Sequence, residues 1–234
     1  LLHSAFEAAR HTRAAFTRNP CDLPRNQRPR YKPHDPANPF DADKEAAFLA
    51  ACDGDPLEAL YMLALDSGMR QAELFALEWR DIDWENCSVE VRRTLKDTED
   101  GLVVGDTKNR QRRAIRLSAT TMDALASHRK RQSRTGAIQR LVFPDQSGGY
   151  LRRQNFNRRH FATMLATAER ESGLSFAGHT FHDTRHTCAT LLLQDGESVT
   201  RVSQRLGHST VKTTLDYYAN CVPQDEDRPA ARFD

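Results

Sequence analysis

Six prolines within twenty residues divide this chain into two unequal parts. They stand at positions 20, 24, 29, 33, 36 and 39. Because proline lacks a backbone N–H and has a fixed φ, so dense a run excludes a helix or an interior strand. We therefore predict an extended linker over residues 23–39, preceded by residues 1–22 and followed by a main domain over residues 40–222 and a tail over residues 223–234.

Apolar residues follow a helical period at the N-terminus and predict one helix over residues 1–17. A single helix has no second element against which to bury its apolar face. We therefore expect this segment to be the last helix of a larger domain. Because the chain begins with Leu1 rather than Met, we expect it to be part of a longer protein.

Patterns in the main domain predict a mostly α fold with one small antiparallel β-sheet, an α+β class. Helices are indicated after Asp41 or Asp43, between Pro56 and a cap at Gly68, and from Arg70 onward. The stretches CSVEVRRTL, GLVVGDT and RRAIRLS predict three short strands. Helical patterns follow in ATTMDALASHRKRQ, in the basic segment RRQNFNRRHFATMLATAERES and in three C-terminal segments.

Composition excludes several classes of protein. Apolar residues make up 38% of the 234 residues and charged residues 28%, as in ordinary globular proteins. No apolar run approaches the ~20 residues that span a bilayer, and no secretory signal is visible. The five cysteines are scattered without a C-x-x-C pair, which argues against a disulfide framework or a zinc knuckle. We expect a protein of the reducing cytoplasm without a membrane partner.

Charge is unevenly distributed although the net charge is only +2. Residues 41–100 carry 16 acidic and 6 basic side chains, whereas residues 106–170 carry 15 basic and 4 acidic ones. A basic block of this size indicates a polyanion as partner. Scattered charge on a solvated helix face is the alternative, and composition alone does not decide between them.

The segment HTFHDTRHTCATLLL crowds three histidines and an arginine ahead of an apolar helix. His182 and His186 have the i, i+4 spacing of a zinc pair, but the metalloprotease pattern needs Glu in place of Asp183. With no third ligand nearby, we predict no metal. Arg185 and His182 suit a phosphate, because a guanidinium binds two oxygens and an imidazole donates or relays a proton. A helix N-terminus capped by Thr180 is the alternative.

This segment resembles the H-x-x-R box of the tyrosine recombinases, the phage-integrase family, and four further boxes match in family order. YMLALDSGMRQAELFALEWRDID resembles the box with the first catalytic arginine, and TKNRQRRAIRLS resembles the strand–turn–strand with the catalytic lysine. LGHST resembles the third-box histidine segment, and TTLDYYAN the nucleophile segment. The matching residues are Arg70, Lys108, His182, Arg185 and His208. The resemblance covers residues 40 to 222 and implies that family's catalytic-domain fold, preceded by the end of a core-binding domain.

The resemblance implies DNA strand transfer without a metal, ATP or another cofactor. A tyrosine oxygen attacks a backbone phosphate, displaces a 5′-hydroxyl and forms a 3′-phosphotyrosyl bond, which a new 5′-hydroxyl then attacks. Arg70 and Arg185 are expected to stabilise charge on the non-bridging oxygens. His208 is expected to donate a hydrogen bond to the phosphate. By resemblance Lys108 protonates the leaving oxygen, and His182 accepts or relays the proton of the nucleophile.

Two adjacent tyrosines, Tyr217 and Tyr218, compete for the role of nucleophile. Helical neighbours point ~100° apart, so only one of them can face the phosphate. Family members often carry His two positions after the nucleophile; the polar Asn220 stands there relative to Tyr218, which favours Tyr218. Glu73, three residues after Arg70, is expected to orient a catalytic cation.

The basic block is expected to hold the DNA backbone. Its candidate residues are Arg110, Arg112, Arg113, Arg152, Arg153, Arg158 and Arg159. The resemblance implies a site-specific recombinase, the integrase of a mobile element or phage, acting as a homo-tetramer on paired sites of double-stranded DNA. We expect a monomer in free solution and a cytoplasmic, nucleoid-associated protein. A type IB topoisomerase-like nicking and resealing enzyme and a non-catalytic DNA-binding regulator stay open as alternatives.

Overall fold

A computed structural model describes most of the main domain and a few residues before it. The described residues are Phe6, Ala9, Asn19, Cys21, Asp22 and the ranges 37–98, 101–106, 112–134, 136 and 138–222. By their contacts the residues form two units, Leu1–Pro36 and Ala37–Asp234. In the first unit Phe6 and Ala9 are helical; the rest of the predicted helix and most of the predicted linker lie outside the described residues. The domain boundaries given above stay predictions.

The main domain alternates short helices with a small β region. Its first half contains α1 (Ala42–Cys52), α2 (Glu58–Ser67), α3 (Gln71–Phe75), β1 (Ile82–Asp83), β2 (Ser88–Val91), β3 (Arg93–Thr98), β4 (Gly101–Asp106) and β5 (Arg113–Arg116). Its second half contains α4 (Ala119–Arg134), α5 (Arg153–Phe156), a π-turn (Asn157–Phe161), α6 (Ala162–Ser172), α7 (Asp183–Gln194), α8 (Val199–Leu206) and α9 (Val211–Tyr218). The predicted mostly α fold with antiparallel strands is confirmed.

The strands form two antiparallel sheets rather than the single sheet predicted. One sheet has the order β1-β2-β5, and the other is the hairpin β3-β4. The predicted strand CSVEVRRTL breaks at Arg92, because Val91 pairs with Arg113 whereas Arg93 pairs with Asp106. The chain therefore changes partners at Arg92, and one predicted strand contributes to both sheets.

Local sequence explains where the first helices begin and end. The Asp41 carboxylate accepts a hydrogen bond from the Lys44 backbone N–H at 2.8 Å, so Asp41 is the N-cap of α1. Before α2, the Asp55 carboxylate accepts from the backbone N–H of Leu57 at 2.7 Å. Gly68 ends α2 with φ +62°, a left-handed conformation that glycine adopts without strain. The caps predicted at Asp41 and Gly68 are thus present.

The largest core is rich in aromatic rings. Among its rings are Phe40, Phe48, Tyr61, Phe156, Phe161, Phe176 and Phe181. Neighbouring ring centroids lie 5.1 to 6.4 Å apart, mostly tilted or edge-to-face, which are the favoured geometries of aromatic pairs. The predicted long basic helix packs on this core and contains the π-turn Asn157–Phe161. Because Phe181 belongs to the core, the start of α7 is fixed in place.

A second, smaller core joins the last three helices. Ala189 and Leu193 of α7 pack with Val202 and Leu206 of α8 and with Tyr218 at the end of α9. This packing holds the end of α9 against α7.

Among the described residues, no helix is both long and apolar enough to cross a membrane.

Candidate active site

The first turn of α7 is organised by Asp183. Its carboxylate accepts hydrogen bonds from the backbone N–H of Thr180 at 2.6 Å and from the Thr180 hydroxyl at 2.9 Å. Thr180 therefore donates to Asp183 and is not itself the cap. Because Asp183 accepts these hydrogen bonds at the start of α7, the side chains of His182, Arg185 and His186 can contact other groups.

Arg185 is a buried cation held by the ends of two helices. Its side chain is 3% exposed, and its guanidinium donates to the carbonyl of Gly68 at 2.6 Å and to the carbonyl of Leu206 at 2.8 Å. Carbonyls at helix C-termini carry partial negative charge and so stabilise a cation there. Burial and then the charge of Arg70 lower the pKa of Arg185 to about 9, which leaves it charged at neutral pH.

Arg70 lies at the N-cap of α3 and is fixed by Glu73. The Arg70 backbone N–H donates to Glu73 Oε2 at 2.9 Å, and its guanidinium donates to Glu73 Oε1 at 3.1 Å and to the carbonyl of Gly207 at 3.2 Å. The side chain keeps 38% of its surface exposed, so a ligand can still reach it. The predicted pairing of Glu73 with Arg70 is present.

Glu73 also holds Arg113, the first residue of β5. The two guanidinium nitrogens of Arg113 donate to the two carboxylate oxygens at 3.1 and 2.6 Å, and its Nε donates to the carbonyl of Arg205 at 2.8 Å. Burial would raise the pKa of Glu73, but hydrogen bonds and charges from Arg113 and Arg70 outweigh it and lower the pKa below its ordinary value. Glu73 is therefore an anion that joins two cations.

His208 follows Gly207, which ends α8 with φ +67°. Its Nδ1 lies 2.8 Å from the hydroxyl of Thr214 on α9. Burial and the charges of Arg185, Arg70 and Arg113 lower the pKa of His208 to about 3, so the ring is neutral at physiological pH. A neutral ring whose Nδ1 accepts from a hydroxyl carries its proton on Nε2, where it can donate to an anion.

A cleft of about 550 Å³ opens beside Arg70 and His208. Its lining includes Arg70, Arg112, Arg113, His208 and Thr210. Glu73 also lines the cleft, but its single carboxylate against three guanidinium groups leaves the lining positively charged, which favours an anionic ligand such as a phosphate. Among the described residues, no three His, Cys, Asp or Glu side chains cluster as metal ligands would.

The two tyrosines of α9 differ sharply in environment. Tyr218 is 2% exposed, and its hydroxyl lies 2.6 Å from Nδ1 of His186. Tyr217 is 37% exposed, with its ring centroid 6.0 Å from that of His186. Burial raises the pKa of the Tyr218 hydroxyl above its ordinary value. Of the two phenols, Tyr218 is the one held at a defined position beside Arg185, whose charge acts on it.

His186 is the residue that sequence reasoning missed. The sequence suggests for it only the spacing of a zinc ligand, and the resemblance gives to His182 the task of accepting or relaying the proton of the nucleophile. The His182 ring instead meets the His186 ring edge-to-face, with centroids 4.9 Å apart, and His186 contacts the Tyr218 hydroxyl. Partial desolvation, and then the charges of His186 and Arg185, lower the pKa of His182 to about 4, although part of its side chain stays exposed to solvent. The i, i+4 spacing of the two histidines is the signal in the sequence that places a second histidine on the same helix face.

The predicted DNA-contacting arginines fall into three groups. Arg112 lines the cleft. Arg113 is 11% exposed, and its guanidinium is occupied by Glu73 and by the Arg205 carbonyl. These contacts favour a positioning role for Arg113. Four of the predicted arginines are exposed on α5, at its N-cap or on the π-turn: Arg152, Arg153, Arg158 and Arg159. Lys108 and Arg110 lie outside the described residues. A second cavity of about 640 Å³, larger than the cleft, is lined by Arg152 and Arg159 and shares no lining residue with the cleft.

The helical fold, the arginine cluster around Arg70 and Arg185 and the shielded Tyr218 are together the features expected of a tyrosine recombinase catalytic domain. The family model of the phage integrase family matches residues 40–224. The chain belongs to that family, and the resemblance noted in the sequence is confirmed.

Known proteins agree with this assignment. The chain is 29% identical to a XerC-like tyrosine recombinase of Caldanaerobacter subterraneus over 75% of its own length and 48% of that protein. It is 26% identical to the ICEBs1 integrase of Bacillus subtilis over all of its own length and 63% of that protein. The chain therefore spans about half to two thirds of these relatives.

Solved structures with the same fold include the Tn1549 transposon integrase in complex with transposon right end DNA. It is 23% identical, with a TM-score of 0.76, over 92% of this chain and 71% of that one. At this identity the likeness establishes the fold.

Proposed function

We propose that this chain is the catalytic part of a site-specific DNA recombinase, the integrase of a mobile element or phage. The observation that carries the proposal is the position of Tyr218. Its phenol is held at the edge of a cation cluster that contains Arg70 and Arg185, in the fold of a family whose members include integrases and XerC recombinases.

The phosphate of a DNA strand binds in the cleft between α3 and the start of α9. Arg70 and Arg112 contact its non-bridging oxygens from the open side, and Arg185 stabilises the charge that develops on them from the buried side. His208 donates a hydrogen bond from Nε2, since its Nδ1 is engaged by Thr214. These groups are fixed before DNA binds, so little reorganisation accompanies the reaction.

Tyr218 attacks the phosphorus, and the strand end leaves as a 5′-hydroxyl while a 3′-phosphotyrosyl bond forms. Lys108 supplies the proton to the leaving oxygen. One phosphodiester replaces another, so the bond energy is kept and no ATP or metal enters the step. The carboxylate of Glu73 holds Arg70 toward the phosphate and ties it to Arg113 at the start of β5.

The exposed arginines of α5 and the π-turn bind phosphates away from the reacting bond and position the duplex. The solved integrase–DNA complex of the Tn1549 transposon supports double-stranded DNA as partner. We further propose a monomer in free solution and four protomers on two paired DNA sites, in the cytoplasm beside the nucleoid. Sedimentation of the DNA-free chain should give one protomer; a stable DNA-free tetramer contradicts this part.

Selection for covalent attachment tests the proposal for any target sequence. The chain is incubated with a library of randomised duplexes, each carrying a nick that lets a cleaved fragment diffuse away. Protein-linked DNA is recovered after denaturation and sequenced. The proposal predicts a defined sequence joined through a 3′-phosphate. Attachment at random sequences together with relaxation of supercoils by single protomers supports a topoisomerase instead, and no attachment supports a DNA-binding regulator.

A further inference from the structure

The hydroxyl of Tyr218 has a single hydrogen-bond partner in the described part of the chain, Nδ1 of His186 at 2.6 Å. The tyrosine is 2% exposed, so bulk solvent does not reach its hydroxyl freely. A phenol must lose its proton as its oxygen forms a bond to phosphorus. In this site the group in contact with that proton is the imidazole of His186.

Both partners are neutral before reaction. Burial raises the pKa of the phenol and lowers the pKa of His186, so near neutral pH the phenol donates and Nδ1 accepts. The proton of the imidazole then lies on Nε2. The titratable and charged groups that face His186 are Asp183, Arg185, His182, His208, Tyr217 and Tyr218.

We propose that His186 is the general base of this site: it accepts the proton of Tyr218 as the phenolic oxygen bonds to phosphorus, and it returns the proton when the strands rejoin. This rests on the proposed function. The geometry gives His182 a different task, because its ring lies against the His186 ring and not against the phenol. His182 is exposed, so it can bind the phosphate.

The step balances in both directions. In cleavage the O–H bond of Tyr218 breaks, its proton moves to Nδ1 of His186, the O–P bond forms, and the P–O5′ bond breaks. The leaving 5′-oxygen takes a proton from Lys108, the proposed acid. In rejoining, a 5′-hydroxyl gives a proton to the neutral amine of Lys108 and attacks phosphorus. The tyrosine oxygen leaves and takes back the proton of the His186 imidazolium.

The lowered basicity of His186 has a consequence for timing. A weak base does not remove the proton of a weakly acidic phenol in the resting site, so the tyrosine stays neutral and unreactive there. Proton transfer becomes favourable only while the new O–P bond withdraws electron density from the phenolic oxygen. The imidazolium formed is in turn a good acid for the rejoining step, which explains how one residue serves both directions.

The test compares His186→Asn with Lys108→Ala on two nicked substrates of the sequence recovered by selection. The Asn side-chain oxygen can accept the hydrogen bond of the phenol but does not take up its proton. One substrate is ordinary DNA; in the other, sulfur replaces the bridging 5′-oxygen of the cleaved bond, so the leaving thiolate needs no proton. Single-turnover formation of the covalent complex is measured on both.

We expect His186→Asn to slow covalent attachment by ~10²- to 10⁴-fold on both substrates, since it removes the base. Lys108→Ala should be slow on ordinary DNA and restored by sulfur, since it removes only the acid. Restoration of His186→Asn by sulfur would mean that His186 serves the leaving group and overturns the proposal. A rate within ~3-fold of the unaltered chain overturns it as well.

The pH profile separates a base from a structural support. The unaltered chain should cleave at a constant rate from neutral to mildly alkaline pH and slow only in acid, as His186 is protonated. With the base removed, the rate should rise ~10-fold per pH unit, because hydroxide then takes the proton. If His186 only supported the structure, the variant would be slower at every pH, but its profile would keep the shape of the profile of the unaltered chain.

Two further outcomes are distinguishable. Circular dichroism and DNA affinity show whether His186→Asn folds. If it does not, the pH profile of the cleavage rate of the unaltered chain on the sulfur substrate is the test. A rise in that rate of ~10-fold per pH unit across neutrality overturns the proposal. If the unaltered chain forms no covalent complex on any DNA, the proposed function itself fails. Efficient attachment that is insensitive to His186 removes only the inference about the base.

Discussion

Replacing Glu73 with Gln should destabilise the domain, because this carboxylate is the anion between two arginines. It is 3% exposed and accepts three hydrogen bonds from the guanidinium groups of Arg70 and Arg113, with a fourth from the Arg70 backbone N–H. Gln keeps the size of the side chain but removes the charge. One of its two polar atoms is an NH₂ group that faces guanidinium donors, so the hydrogen bonds accepted by that carboxylate oxygen are lost, and Arg70 and Arg113 lose their shared counter-charge.

The expected loss in the free energy of unfolding depends on how exposed the two arginines are. Breaking a fully buried ion pair by removing one partner costs ~3 to 5 kcal/mol. Arg70 is 38% exposed, so water screens its half of the network and that half contributes little. Arg113 is 11% exposed and dominates the loss. We therefore expect a loss near the lower end of that range, about 3 kcal/mol, and a fall in Tm of ~6 to 12 °C at ~2 to 4 °C per kcal/mol.

Urea titrations of the unaltered chain and of Glu73→Gln measure this loss, with Glu171→Gln as matched control. Glu171 pairs with Arg170 at 3.1 Å on the surface, at 55% and 70% exposure, so its replacement should cost below ~0.5 kcal/mol. Because the folded pKa of Glu73 is lowered, its contribution is complete above the ordinary pKa of a carboxyl group and disappears as pH falls through the folded value. The two stability curves should thus converge in acid. A loss no larger than that of the control would refute the network as described.

Three further predictions concern chelation, salt and backbone strain. Excess EDTA should leave the rate of covalent attachment unchanged, and a loss on chelation would require a metal in the step. Replacing Arg152 and Arg153 with Ala should reduce the log–log salt slope of DNA binding by ~1.8, since each neutralised phosphate contributes ~0.9; an unchanged slope would locate the DNA elsewhere. Gly68→Ala should destabilise by ~2 to 4 kcal/mol, because its Cβ would lie 2.7 Å from Leu206 at φ +62°. Gly173→Ala, at φ +74° with open space around the Cβ, should cost only ~1 kcal/mol, and equal costs in urea titrations would contradict the close contact.

The features that the sequence predicted well are those decided by neighbouring residues. The caps at Asp41 and Gly68 and the contact between Arg70 and Glu73 depend on residues one to four positions apart. Helical and strand periods are likewise local, so the order of elements was predictable. Motifs that recur in a known family added the grouping of distant boxes into one site.

The features that were missed depend on partners far along the chain. The break at Arg92 reflects a choice between two partner strands, which no local pattern encodes. His186 meets Tyr218 across 32 positions only because α7, α8 and α9 share a core. The basic run around Arg113 does not reveal that its partner is Glu73, which stands 40 positions earlier. Charge alone does not tell which arginine is already neutralised.

The proposed mechanism requires that Tyr218, and not Tyr217, becomes covalently linked to DNA. Tyr218→Phe removes the attacking oxygen and keeps the buried ring, whereas Tyr217→Phe changes an exposed phenol on the same helix. Each variant is mixed with the nicked substrate, and protein-linked DNA is counted after denaturation, with DNA affinity as the control for folding. Tyr218→Phe should bind DNA and form no covalent complex, and Tyr217→Phe should still form it. Loss in Tyr217→Phe alone would assign the attack to the neighbouring phenol, and attachment that persists in both variants would contradict the tyrosine mechanism itself.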